Sequence, residues 1–211
     1  MVKSKKEKIG ILGGSFNPPH FGHLKIAKKA KELLKLDKVI FIPCGIPALP
    51  KKDLASSNHR LEMVKLLTKF DPCFLVLDYE IKKAKKNKKS YTIDTIKYLK
   101  RKFKNAELFW IIGEDSFCEI IKGKWKEASK ILDLINFVVC LRGNHPFSLK
   151  NLAKKYQTLA KEFSKKVIFI KTKIPISATE IRKKIKKGQS IKNLVPKEIE
   201  EYIKAHHLYL K

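Results

Sequence analysis

Residues 11–23, Ile-Leu-Gly-Gly-Ser-Phe-Asn-Pro-Pro-His-Phe-Gly-His, constrain this chain more than any other segment. An apolar strand-like run (Ile9, Ile11, Leu12) ends in Gly13-Gly14, and a helical pattern begins at about Gly22. The two glycines are expected to supply positive φ and to let the backbone approach a ligand closely. A helix start presents N–H groups that the helix does not use, together with a partial positive charge. A strand, a glycine turn and a helix start together form a place for phosphate groups. His20 and His23, three residues apart, add two donors aimed at that place. The run is neither the G-x-G-x-x-G dinucleotide fingerprint nor a G-x-x-x-x-G-K-[ST] loop. Phosphate is expected to be handled by glycines, histidines and a helix end.

Strand-like and helix-like segments alternate along the rest of the chain. Lys8–Leu12, Lys38–Ile42, Phe74–Leu77, Leu108–Ile112, Phe137–Leu141 and Val167–Ile170 read as strands. Helical patterns cover Gly22–Leu36, a segment capped by Ser57 or Asn58, Thr92–Phe103, Ser177–Lys187 and Lys197–His206. Residues 43–57 read as a loop, and the basic run Lys82–Lys89 as another. Continuous apolar strands separated by helices predict a doubly wound, mostly parallel α/β sheet covered on both faces. No repeat or linker divides the chain, so residues 1–211 are expected to form one domain. Such sheets bind ligands at the C-terminal ends of their strands. Gly13-Gly14, Gly113-Glu114-Asp115 and Arg142-Gly143 fall at those ends. Asp115 there can accept from ribose hydroxyls or cap the next helix. Ser177-Ala-Thr-Glu180 has the S-x-x-E form of a capping box, and Arg182 follows within a turn with a planar fork suited to phosphate oxygens.

The formal net charge is +28, which draws polyanions and raises nucleic acid as a partner. Nearly all of it is lysine, spread over every helix-like segment, and arginine occurs only at 60, 101, 142 and 182. That is the pattern of solvated faces, so no specific nucleic-acid partner is expected. A basic nucleic-acid-binding module stays as the alternative of another class. Cys44, Cys73, Cys118 and Cys140 are widely spaced and are expected to be buried thiols rather than a disulfide or zinc frame. No apolar run reaches the roughly 20 residues of a membrane span. The charged N-terminus leads straight into the first strand, so a cytoplasmic protein is expected.

The Gly-Gly-Ser-Phe-Asn-Pro-Pro-His-Phe-Gly-His run resembles the signature of the nucleotidyltransferases that carry an HxGH motif. Ile176-Ser-Ala-Thr-Glu-Ile-Arg182 is similar to that family's second signature. The middle of the chain narrows the resemblance to the bacterial nicotinate-nucleotide adenylyltransferases. It does so through VIFIPCGIP with Lys51-Lys52, Arg60-Leu-Glu-Met63, Ser90-Tyr-Thr-Ile-Asp-Thr95, Gly113-Glu-Asp115, Trp125, Arg142 and VPKEIEEYIKAHHLY. The resemblance covers nearly the whole chain. It implies a Rossmann-like nucleotidyltransferase fold with C-terminal helices. It also implies adenylyl transfer from ATP to nicotinate mononucleotide, with Mg2+ accompanying ATP and no metal held by the protein. His20, His23 and Arg182 would be catalytic. Gly13, Gly14, Ser15, Phe16, Asp115, Ile176, Ser177 and Thr179 would join them in binding ATP. Ser15, Phe16, Lys51 or Lys52, Tyr91, Thr92, Trp125 and Arg142 would meet the mononucleotide. Nicotinamide mononucleotide, or another phosphate such as phosphopantetheine, remains an alternative acceptor, and oligomeric state is left open. Three positions depart from the family pattern: Asn17 stands where an Asp is usual, Pro47-Ala-Leu-Pro50 lacks a histidine, and about two extra residues precede Trp125.

Overall fold

A computed structural model describes residues 6–142, 166–172 and 175–210, with the side chain of Arg142 left out. Along the chain run β1 (Lys8–Gly14), α1 (Phe21–Leu34), β2 (Lys38–Pro43), β3 (Ile46–Pro47), α2 (Ser57–Thr68) and β4 (Phe74–Val76). Then come α3 (Tyr79–Ala84), β5 (Lys89–Ser90), α4 (Thr92–Lys102), β6 (Glu107–Gly113), α5 (Glu114–Ile121) and α6 (Ala128–Leu134). After them follow β7 (Asn136–Arg142), β8 (Val167–Thr172), α7 (Ala178–Lys186) and α8 (Lys197–Ala205). The main sheet has the order β4-β2-β1-β6-β7-β8, and its pairs are parallel throughout. The doubly wound α/β expectation is met.

Sequence order runs outward from β1 through β2 to β4, then resumes on the other side at β6. The reversal lies between β1 and β6, which is where open parallel sheets form their ligand crevice. Register brings the strand ends level. Gly14 pairs with Pro43, Leu12 with Ile111, Gly113 with Cys140 and Arg142 with Thr172.

Strand alternation sends side chains to two cores. On one face Leu12, Val39 and Phe41 pack with Ala27 and Ala30 of α1, Met63 and Val64 of α2, Ile181 of α7 and Ile199 of α8. On the other, Ile9, Ile11, Ile40 and Ile42 pack with Ile93 and Ile96 of α4, Phe117 of α5 and Ile131 of α6. A fully buried aliphatic or aromatic side chain contributes about 1.5–3 kcal/mol. These two layers therefore hold the strand ends, and the turns on them, in place.

Two expectations are corrected in the middle of the chain. The basic run Lys82–Lys89 is loop only over residues 85–88, and residues 43–57 are not wholly loop. The end of α3 and the start of β5 take the rest of the first, and β3 pairs with β5 in a separate two-stranded parallel ribbon. A six-residue helix carries too little periodicity to be read. It is held instead by the tertiary burial of Glu80 and Ile81. α6 has no counterpart among the helices expected from the sequence. α1 begins at Phe21 with His20 as its N-cap, and α2 is capped by Ser56, whose hydroxyl accepts from the His59 N–H. All four cysteines are thiols, but only Cys140 is buried, while Cys44, Cys73 and Cys118 are half-buried.

Gly45, just before β3, lies against α3. A Cβ there would come within 2.2 Å of the Glu80 carbonyl oxygen and 2.9 Å of the Ala84 Cβ. Main chain cannot yield as a flexible side chain does. Gly45→Ala is therefore expected to lower stability by about 1–3 kcal/mol, the usual cost of overpacking. A denaturant midpoint equal to that of the parent would show that this approach is not tight in solution.

Candidate active site

The turn after β1 is built differently from its sequence expectation. Among the described residues the positive-φ glycines are Gly123 and Gly188, so neither Gly13 nor Gly14 uses left-handed backbone. The residue that does is Phe16, at φ 47°. Its ring is 1% exposed and packs on Phe41 and His23, and that burial offsets the backbone cost of roughly 1–2 kcal/mol. Phe16 thus presents only main chain to a ligand. Gly13 is required for space instead, because a Cβ there would lie 2.9 Å from the Trp110 ring.

His20 and His23 are fixed by the start of α1. The His20 N–H donates to Nδ1 of His23 at 3.2 Å, and the His23 N–H donates to the His20 carbonyl at 2.9 Å. Their ring centroids are 3.9 Å apart, with His20 buried and His23 half-buried. Because Nδ1 of His23 accepts, a neutral His23 carries its ring proton on Nε2.

The second motif comes to this turn from the far end of the chain. Ser177 caps α7, its hydroxyl accepting from the Glu180 N–H at 3.2 Å. One turn on, Arg182 donates through Nη1 to the Asn17 carbonyl at 2.8 Å, across 165 residues of sequence. Ile176 packs on the core beneath, and Thr179 is exposed. Lys51 donates to the Ser15 hydroxyl at 3.4 Å, so of the two candidate lysines it is Lys51 that reaches the turn.

Asn17 is itself a connector. Its Nδ2 donates to the Asp53 carbonyl at 2.8 Å and its Oδ1 accepts from the Ala55 N–H at 3.0 Å. Arg60 does the same from inside. It is 1% exposed and donates to the carbonyls of Ala55, Ser15, Cys44 and Gly45 at 2.6–2.9 Å. The sequence singled out neither side chain for this task. The available signal was an arginine inside an otherwise apolar helical stripe. Burial pushes the neighbouring Cys44 thiol up to about 11, so its protonated form is favoured there.

Tyr91 and Thr92, two of the residues expected to meet the mononucleotide, stand at the start of α4. Thr92 is its first residue and Tyr91 its N-cap, with no side-chain capping bond. The ammonium of Lys126 stands 4.6 Å over the Tyr91 ring, and Lys97 of α4 pairs with Glu127 at 3.1 Å. These contacts bring the Trp125 segment beside α4. Trp125 is half-buried, and its Nε1 donates to Glu119 at 3.0 Å. Asp115 is exposed in the first turn of α5, directly after β6. Arg142 ends β7, but its side chain and Gly143 lie outside the described residues.

Behind the ribbon, Glu80 accepts from the Thr95 hydroxyl at 2.7 Å, and the Ser90 hydroxyl accepts from the Gly45 N–H at 3.1 Å. Burial raises the Glu80 carboxyl above the usual carboxylate range, against the lowering effects of Thr95, Ser90 and Lys83. Among the described residues no three His, Cys, Asp or Glu side chains could hold a metal ion, and no helix is long and apolar enough to cross a membrane.

A family model described as cytidylyltransferase-like matches residues 11–184. The fold and the paired motifs at the switch point are thus those of a nucleotidyltransferase. A Dictyoglomus thermophilum protein described as a probable nicotinate-nucleotide adenylyltransferase is 44% identical over 206 residues, spanning 96% of this chain and 100% of the relative. A Clostridium tetani protein of the same description is 38% identical over 205 residues, spanning 96% and 99%. The chain belongs to the nicotinate-nucleotide adenylyltransferase family. Its fold is also similar to that of Plasmodium falciparum nicotinic acid mononucleotide adenylyltransferase complexed with NaAD. The TM-score is 0.78 at 22% identity, covering 96% of this chain and 97% of that one.

Two outcomes are expected. Asn17→Asp replaces the amide that donates to the Asp53 carbonyl with a second acceptor. A buried pair left unmade in this way costs about 1–3 kcal/mol, so the thermal midpoint should fall, and an unchanged midpoint would mean that the turn and the loop part at no cost. Glu80→Gln reports through pH. A raised folded-state pKa contributes stability fully below the unfolded value, about 4.3 for glutamate, and loses it as pH rises through the raised value. Melting curves of Glu80→Gln and the parent should therefore differ least near pH 4 and shift in favour of the variant towards pH 8. A gap that does not depend on pH would show that folding leaves the Glu80 pKa unshifted.

Proposed function

We propose that residues 1–211 act as one domain that transfers the adenylyl group of ATP to nicotinate mononucleotide, giving deamido-NAD and pyrophosphate. The observation that carries this reading is the Arg182–Asn17 bond, which sets the Ser177–Arg182 helix start beside the His20–His23 turn. Phosphate can then be held from both sides. The names of the relatives support the choice of acceptor.

In this reading an oxygen of the mononucleotide phosphate attacks the α-phosphorus of ATP in line. The new P–O bond forms as the bond between the α-phosphorus and its bridging oxygen breaks, and pyrophosphate carries away the electron pair. The attacking phosphate is already anionic, so no general base is required. Catalysis is positioning and neutralisation of charge, and orientation alone can lower the barrier by roughly 7–11 kcal/mol. His20 and His23 donate to the phosphates, with Nε2–H as the outward donor of His23. Arg182 and Ser177 hold the triphosphate from the α7 side, and Gly13, Gly14 and Ser15 line it with main chain. Asp115 accepts from ribose hydroxyls. Lys51 meets the acceptor phosphate, and Tyr91, Thr92, Trp125 and Arg142 meet the nicotinate end. The donors around the turn are cations and N–H groups, which fit phosphate rather than a bare metal ion. A divalent ion, Mg2+ in this proposal, would enter with ATP on phosphate oxygens and water and lessen the charge there.

The test is pyrophosphate release from ATP with each mononucleotide. The α4 start offers N–H groups to a carboxylate, whereas an amide would set donors against donors at a cost of about 1–3 kcal/mol. Nicotinate mononucleotide should therefore be favoured in kcat/KM by roughly ten- to a hundredfold. His23→Ala should lower kcat by on the order of 100-fold or more. Equal use of the amide would overturn the acceptor, and a fully active His23→Ala would overturn the site.

A further inference from the structure

Among the described residues Arg60 is the one cationic side chain in the set of largest fully buried ones, and it bonds segments from both halves of the site. All four of its hydrogen bonds among the described residues go to main-chain carbonyls, not to a carboxylate. Burying a cation is expensive, and an apolar side chain of similar volume would fill the same space at lower cost. The guanidinium must therefore provide something besides packing.

The carbonyls it binds show what that is. Ser15 belongs to the phosphate turn, and Nη1 donates to its carbonyl at 2.8 Å. The same Nη1 bonds the Cys44 carbonyl, and Nη2 that of Gly45 at 2.9 Å, at the entry to β3. β3 pairs with β5, and the chain continues from Ser90 into Tyr91 and Thr92. Nε donates to Ala55 at 2.9 Å, at the end of the loop that carries Lys51. One rigid planar fork thus spans the phosphate turn, the Lys51 loop and the ribbon leading to α4. Lysine has one nitrogen on a flexible stem and cannot hold all of these at fixed spacing. The buried Tyr209 phenol near the C-terminus lies close enough to feel the charges of both Arg60 and Arg182.

We infer that Arg60 is a positioning residue that sets the separation between the ATP phosphate turn and the acceptor loop. This rests on the adenylyl-transfer reading above. Its signature follows from that role. Each substrate still finds its own half-site, but the attacking oxygen and the α-phosphorus no longer align. A misplacement of about 1 Å can cost on the order of 100-fold in rate.

The experiment compares Arg60→Lys and Arg60→Met with the parent. Measured are kcat and KM for ATP and for nicotinate mononucleotide, the binding of a non-hydrolysable ATP analogue by calorimetry, and amide hydrogen exchange. Arg60→Lys is expected to lower kcat about 100-fold while each KM and the analogue affinity stay within about threefold. Amides of residues 14–17, 44–45 and 51–55 should exchange faster, with those inside β1 and β2 unchanged. Arg60→Met, which keeps the packing without the fork, should fold and show the same loss. Parent-like kcat in a folded variant would overturn the inference, as would a raised KM at unchanged kcat, or unaltered exchange in the three segments. If neither variant folds, Arg60 serves the fold and the inference also falls. Failure of the parent itself to form the dinucleotide would overturn the reading of function. The exchange arm would then still decide whether Arg60 ties the segments together.

Discussion

Everything at the site depends on β1 being paired in parallel on both sides. β2 pairs with one edge of it over Ile9–Gly14 and β6 with the other over Lys8–Leu12. A parallel pair cannot be closed by a hairpin, so each neighbour is reached through a crossover that places helices on the sheet faces. The β1 end therefore opens at the point where the strand order reverses. Two apolar layers hold it there, so the Gly13–His23 turn sits on a rigid base.

On that base the site is assembled mainly by side chains that bond carbonyls of distant segments. Arg182 takes Asn17, Asn17 takes Asp53, and Arg60 takes four more. Main-chain acceptors in irregular turns have no ladder to join, and a buried one must be satisfied. Donors from α2 and α7 supply that need and at the same time set the spacing of the loops. The same bonds thus lower the cost of burying loop backbone and pre-order the groups that would meet two anionic substrates. Ordering them beforehand removes an entropic cost from the reaction itself.

Electrostatics play different parts at different depths. Among the described residues the lysines lie mostly on exposed faces, where charge is screened over about 8 Å at physiological salt. Among the described residues, the turn is bonded by three cations, Lys51, Arg60 and Arg182. The buried Glu80 carboxyl and the Cys44 thiol lie behind the ribbon, and burial favours the protonated form of each.

The amino-acid sequence by itself determined the strands, the sheet type, the HxGH turn and the Ser177–Arg182 helix start. Apolar runs, glycines and capping residues act locally, and their physics is legible within a few positions. It also carried the family, through motifs spread from Gly13 to Arg182. It misled at Gly13 and Gly14, because space for the Trp110 ring, not backbone freedom, is what a glycine supplies at position 13, while Phe16 takes the left-handed turn. α3 and the β3–β5 ribbon were illegible, since six residues and two residues carry no periodicity and are held by burial against Gly45 and α4. Only the tertiary structure decided that Arg182 meets Asn17, that Lys51 rather than Lys52 reaches Ser15, and that Arg60 joins three segments. Those are contacts between residues far apart in the chain, and nothing in the local chemistry of either partner specifies the other until the sheet has brought them together.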